Sequence, residues 1–136
     1  MSSYTYFDHD ADIGIVGRGK TLEGAFVAAA EAMFAIMSPI PPERPEVPVS
    51  FSFEEEDCEL ALVRWLNTLI YYAQSRSLLL GKFALKREGA LWHGEAWGEA
   101  WSPQRERGVE VKGATLTMLS VAETEGLWEA RCIVDV

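Results

Sequence analysis

The stretch from Thr21 to Pro48 restricts the fold more than any other part of the chain. Apolar side chains at Leu22, Ala25, Phe26, Ala29, Met33, Phe34 and Met37 recur at the three- and four-residue spacing of a helix, and prolines at 39, 41 and 42 stop it. Thr21 stands at the N-cap, and Glu23 puts a carboxylate where the helix dipole favours one. The spacing predicts a helix of about four turns. A second helix opens at Asp57, with Leu60, Val63, Trp65, Leu66, Leu69, Ile70 and Ala73 on one broad face. Faces that wide need a sheet to cover them.

The remaining segments supply strands. Tyr4–Asp8 and Ile13–Val16 read as a short pair joined by an acidic turn and closed by Gly17 and Gly19. Five prolines between Ser38 and Pro48 make a stiff loop that leads into the alternation of Val47, Val49, Phe51 and Phe53. From Leu79 the pattern is strand throughout. It takes in Phe83 and Leu85, a turn at Glu88–Gly89, Leu91–Trp97, one strand from Val109 to Val121, a turn at Glu125–Gly126, and Leu127–Val136. Ile133 and Val134 are both apolar, which places the last strand inside the sheet. These readings predict an α+β fold: a single domain over residues 1–136, with two main helices packed on a mixed, largely antiparallel β-sheet.

Charge and composition exclude several functions. A formal net charge of −9, with basic residues scattered singly, opposes direct autonomous binding to nucleic acid, although an acidic domain can serve RNA chemistry through a protein partner. No apolar run reaches the roughly 18 residues of a membrane span, and the amino-terminal residues lack a secretory signal's layout, so the expectation is a cytoplasmic protein without a membrane. Cys58 and Cys132 are far apart, lack metal-site spacing and read as small apolar residues. The glycine-rich Gly17-Arg18-Gly19-Lys20 lacks the spacing and the hydroxyl of a P-loop, and no nucleophile elbow or dinucleotide fingerprint is present. Oligomeric state is not readable from these features.

Between the first two strands the chain concentrates negative charge: Asp8, Asp10 and Asp12 surround His9. Such carboxylates repel one another unless water, backbone donors or a cation intervenes. In an extended turn the three aspartates share one face and His9 points the other way, so three oxygens can converge on a hard cation such as calcium. Aspartates capping turn amides are the plainer alternative. The chain ends Asp135-Val136, placing a side-chain and a main-chain carboxylate on adjacent residues. If the last strand lies beside the first hairpin, both can meet Asp12. Lys112, in an alternating segment, reads either as a solvated side chain or as a cation for a phosphate or an acidic partner. His9 and His93 have no zinc-site spacing. Of the five tryptophans, Trp65 and Trp128 read as core, while Trp97 and Trp101 are the candidates for exposure.

Five motifs in order, Phe7-Asp8-His9-Asp10-Ala11-Asp12-Ile13-Gly14-Ile15, Thr21-Leu22-Glu23-Gly24-Ala25-Phe26, Leu62-Val63-Arg64-Trp65-Leu66-Asn67, Val111-Lys112-Gly113-Ala114-Thr115 and Val134-Asp135-Val136, resemble the archease family. The resemblance implies a non-catalytic accessory protein that activates the tRNA-splicing RNA ligase joining 3′-phosphate to 5′-hydroxyl ends. It promotes ligase guanylylation and multiple turnover and widens nucleotide use. It further implies a divalent metal, calcium, held by Asp12, Asp135 and Val136, with Asp8, His9 and Asp10 beside it and Lys112 matching a lysine tied to activity. Asp10 departs from the family's usual threonine, and Leu116-Thr117 from an aromatic residue followed by histidine. Two other classes compete with this expectation: a general chaperone-like interaction module, and a small metal-dependent phosphohydrolase using Asp10 or His9 as base.

Overall fold

Both helices begin where a side-chain oxygen is available to cap them. Thr21 Oγ1 accepts the Gly24 N–H at 2.9 Å, and Asp57 Oδ1 accepts those of Glu59 and Leu60 at 2.8 and 3.0 Å. The computed structural model describes residues 3–136. Its elements in order are β1 (Ser3–His9), β2 (Asp12–Gly19), α1 (Leu22–Met37), β3 (Val47–Glu54), α2 (Cys58–Ser75), β4 (Leu78–Glu88), β5 (Leu91–Ala100), β6 (Gly113–Ala114), β7 (Ser120–Thr124) and β8 (Leu127–Asp135).

The α+β class stands, with two helices on antiparallel strands, but the strands divide between two sheets. One runs β1-β2-β8-β6, with β7 also on β8; the other runs β3-β5-β4. All pairings among the described strands are antiparallel, so no parallel strand mixes the sheet. Helix α1 packs on β2 and β8 of the first sheet and on β4 of the second, and is therefore covered on two sides. Its composition suits that position: Ala25, Ala28, Ala29, Ala30 and Ala32 are all fully buried beside Phe26 and Met33. The helices are tied together by Trp65, whose indole N–H donates to the Phe26 carbonyl at 2.9 Å.

Three expectations change. Gly19 does end β2, but Gly17 lies inside it, because α1 crosses so near that a Cβ on Gly17 would stand 2.3 Å from the Ala25 carbonyl oxygen. The single strand expected over Val109–Val121 is interrupted. Val109 donates its N–H to Ile36 at the end of α1, Met118 takes φ +53, and only Gly113–Ala114 and Ser120–Thr124 pair with β8. Leu60 is exposed although it continues the apolar run of α2, since the face that packs is carried by Ala61, Leu62, Trp65, Leu66, Leu69, Ile70 and Ala73. Strand β8 does lie inside its sheet, between β2 on one side and β6 and β7 on the other.

Candidate functional site

The first hairpin turns on two residues, Asp10 and Ala11, with Asp10 at φ +51 and His9 paired with Asp12. That reversal changes which carboxylates share a face. Residues directly opposite in an antiparallel pair point the same way, so His9 and Asp12 lie on one face of the sheet. Asp8 is opposite Ile13 and points to the other face, toward α1. Asp10 sits at the turn tip with its side chain 93% exposed. The three aspartates therefore do not form one row, because the chain folds back at the point where an extended course would align them.

The row that forms instead crosses strands. Ile13 pairs with Val134, and one step further along this register Asp12 stands opposite Asp135. On its other side Asp135 pairs with Gly113 of β6. The junction is held by one side-chain and one main-chain acceptor: Asp12 Oδ1 accepts the Val136 N–H at 3.3 Å, and the Asp135 carbonyl accepts the Lys112 N–H at 2.8 Å. Asp12, Asp135, Val136 and the backbone of Lys112 are thus neighbours at one end of the first sheet. The Lys112 side chain is exposed.

Asn67 of α2 fixes this end from the side. Its Oδ1 accepts the Ala114 N–H at 2.8 Å and its Nδ2 donates to the Ala114 carbonyl at 3.2 Å, replacing the partner strand that two-residue β6 lacks on its outer edge. Sequence reasoning assigned Asn67 no role. The available signal was an amide set beside the apolar face of a helix, where a polar group needs a definite partner.

Among the described residues no three His, Cys, Asp or Glu side chains converge as metal donors. The expected set requires two, Asp12 and Asp135, its third donor being the Val136 main-chain carboxylate. These are hard, acceptor-only oxygens suited to a hard divalent cation. Asp12 Oδ1 is engaged by Val136, which leaves Oδ2 available. No ion pair among the described residues neutralises Asp12 or Asp135. His9 Nδ1 is buried without a hydrogen-bond partner and lies 4.0 Å from Asp10 Oδ2, so His9 borders the row. The donor chemistry fits the cation.

His93 is remote, on β5, with its Nδ1 2.6 Å from Ser52 Oγ on β3. Trp65 and Trp92 are fully buried. Trp97 and Trp101 are half-buried and covered by cations: Lys82 Nζ lies 5.0 Å from the Trp97 ring centre and the Arg107 guanidinium 4.0 Å from that of Trp101. Both cysteines are free, Cys132 buried and Cys58 partly so. No helix among the described residues is long and apolar enough to cross a membrane.

The profile of the Archease protein family matches residues 4–136. The chain belongs to the archease family. Protein archease of Sulfolobus acidocaldarius is 34% identical, and that of Pyrococcus furiosus 32%, each over the whole of both chains. The solution structure of protein 1598 of Methanobacterium thermoautotrophicum superposes with a TM-score of 0.82 at 29% identity, covering 98% of each chain. A Thermotoga maritima structure, described as an archease and possible chaperone, shares the archease fold with a TM-score of 0.65 at 19% identity, covering 96% of this chain and 94% of its own.

Proposed function

We propose that this archease-family member is a non-catalytic activator of the RNA ligase that joins 3′-phosphate and 5′-hydroxyl ends in tRNA splicing. It promotes ligase guanylylation and multiple turnover and widens nucleotide use. The observation that carries the proposal is the contact of Asp12 with Val136, which brings the first hairpin and the last strand into one acidic end of the sheet beside Lys112. Asp12, Asp135 and the Val136 carboxylate would hold a divalent metal, calcium, with His9 beside them on the same face and Asp10 at the hairpin tip, while Asp8, on the opposite face, is left to contact a partner. When bound, the cation supplies positive charge that offsets the repulsion between these carboxylates.

The remaining steps belong to the chain's own residues. Asn67 and the β8 ladder hold the acidic end at a fixed place, and the exposed Lys112 ammonium beside it presents a point charge to a phosphate or carboxylate of the partner. A net charge of −9 favours encounter with a cationic, phosphate-binding ligase centre in the cytoplasm and disfavours autonomous RNA binding. The ligase carries out the bond chemistry; docking of this protein shifts it toward the geometry that attacks the nucleoside triphosphate. Multiple-turnover ligation with Asp12→Ala and Lys112→Ala variants tests the proposal. Each substitution should reduce activation by about tenfold or more, and full activation by both would overturn it.

A further inference from the structure

Sheet edges expose unpaired N–H and C=O groups, and natural proteins block them with bulges, prolines, basic side chains or covering elements. Three of the four edges here are blocked. Strand β4 shifts register between Leu80 and Lys82, carries Lys82, Lys86 and Arg87, and has Pro42 seated over Gly81. Strand β3 contains Pro48. The β6 and β7 edge is broken between them and covered by α2, where Asn67 takes both Ala114 groups and Glu59 Oε2 accepts the Val121 N–H at 3.4 Å. Among the described residues strand β1 has no such device. It pairs with β2 at seven consecutive positions without a shift and contains no lysine, arginine or proline.

The face beside that edge has a definite chemistry. Alternation places Tyr4, Tyr6 and Asp8 toward α1, and Tyr6 donates its phenol proton to the Ala32 carbonyl at 2.7 Å. Tyr4 and Tyr6 nevertheless remain 39% and 44% exposed. A groove of about 320 Å³ adjoins Tyr4, lined with it by Glu31, Phe34, Pro42 and Phe83. Glu31 has no ion pair among the described residues, and burial raises its carboxyl above the ordinary range. Two phenol rings and two uncompensated carboxylates thus border an open strand edge.

We propose that the free edge of β1 is a strand-addition site for an extended segment of a partner protein bearing arginine or lysine on alternate residues, whose basic face meets Tyr4, Tyr6, Asp8 and Glu31. Main-chain hydrogen bonds supply the affinity of such additions and alternate side chains the specificity. Guanidinium groups stack on phenol rings and pair with carboxylates, which favours arginine. The matching segment is about seven residues, roughly 23 Å, long. A net charge of −9 favours a basic partner over a second copy of the chain, whose approach it opposes. The proposal is independent of the ligase reading, which the Asp12 and Lys112 variants test separately.

The experiment titrates the isotope-labelled full chain with the capped peptide Thr-Arg-Val-Arg-Val-Arg-Thr to about 1 mM, following backbone amide shifts. Shifts should centre on Ser3–His9 and the α1 turn carrying Glu31. Replacing both valines with proline keeps the charge but blocks pairing, and should weaken binding about tenfold, as should glutamate in place of the arginines. An Asp8→Asn, Glu31→Gln double variant, with its spectrum otherwise intact, should bind the arginine peptide about tenfold more weakly. Equal binding of the proline peptide, unchanged binding by the double variant, or no response in β1 would each overturn the proposal. So would β1 shifts that track protein concentration without peptide, which would assign the edge to a second copy.

Discussion

Tyr6 fastens the edge strand to α1 through one phenol hydrogen bond to Ala32. Burial, and after it the neighbouring Tyr4, pushes its ionisation up to about 12. A group whose folded value is raised contributes stability that is complete below its unfolded value and lost as pH rises through the folded one. Tyr6→Phe should therefore cost about 1 kcal/mol at neutral pH, and the gap should narrow above the ordinary phenol range. Denaturant midpoints between neutral and alkaline pH check both points, and a gap that widened with pH would contradict the assignment. At the same scale, Asp8 shows where sequence reading of the site stopped. Its charge and the acidic turn were plain, but its face depended on the turn being confined to Asp10 and Ala11, which the local pattern left open.

Helix α1 depends on glycine in a strand it crosses. A Cβ on Gly17 would meet the Ala25 carbonyl oxygen at 2.3 Å and the Ala29 nitrogen at 2.4 Å, both backbone atoms that cannot swing aside. Gly17→Ala should destabilise the protein by about 3 kcal/mol or more, measured by urea unfolding, whereas a cost near zero would mean that α1 can lift from β2. The helix limits themselves were legible in the chain. Thr21, Asp57 and the prolines after Met37 act within a few residues of the ends they set, and so do the turns at Gly89 and Glu125–Gly126. The interruption between β6 and β7 was not. Met118 turns the chain between them at φ +53, while ahead of β6 Val109 bonds to Ile36 and within it Asn67 occupies Ala114, contacts between residues dozens of positions apart.

At the scale of the molecule, the acidic end joins β2 to β8, so a cation bound there stabilises the folded state as a whole. Ligand that binds only the native form at a hundredfold excess over its Kd adds about 2.7 kcal/mol. Calcium added to metal-stripped protein should raise Tm, with less effect in Asp12→Asn and in a variant extended beyond Val136, whose peptide bond removes the proposed terminal carboxylate. Scanning calorimetry with calcium, magnesium and manganese checks this, and an unchanged Tm with all three would remove the cation from the account. The division into two sheets around α1 lay beyond the sequence pattern, because alternation shows that a strand is half-buried but not which sheet it joins.

The order of strands has a further consequence for synthesis. β8 is the middle strand of its sheet and the last to be made. A growing chain leaving the ribosome carries the β1–β2 hairpin early, yet the inner flank of that hairpin stays bare until Leu127 to Val134 have cleared the exit. Until then Ile13 and Ile15, paired with Asp8 and Tyr6 on their outer side, have no strand on their inner side, and that flank stays open to other chains.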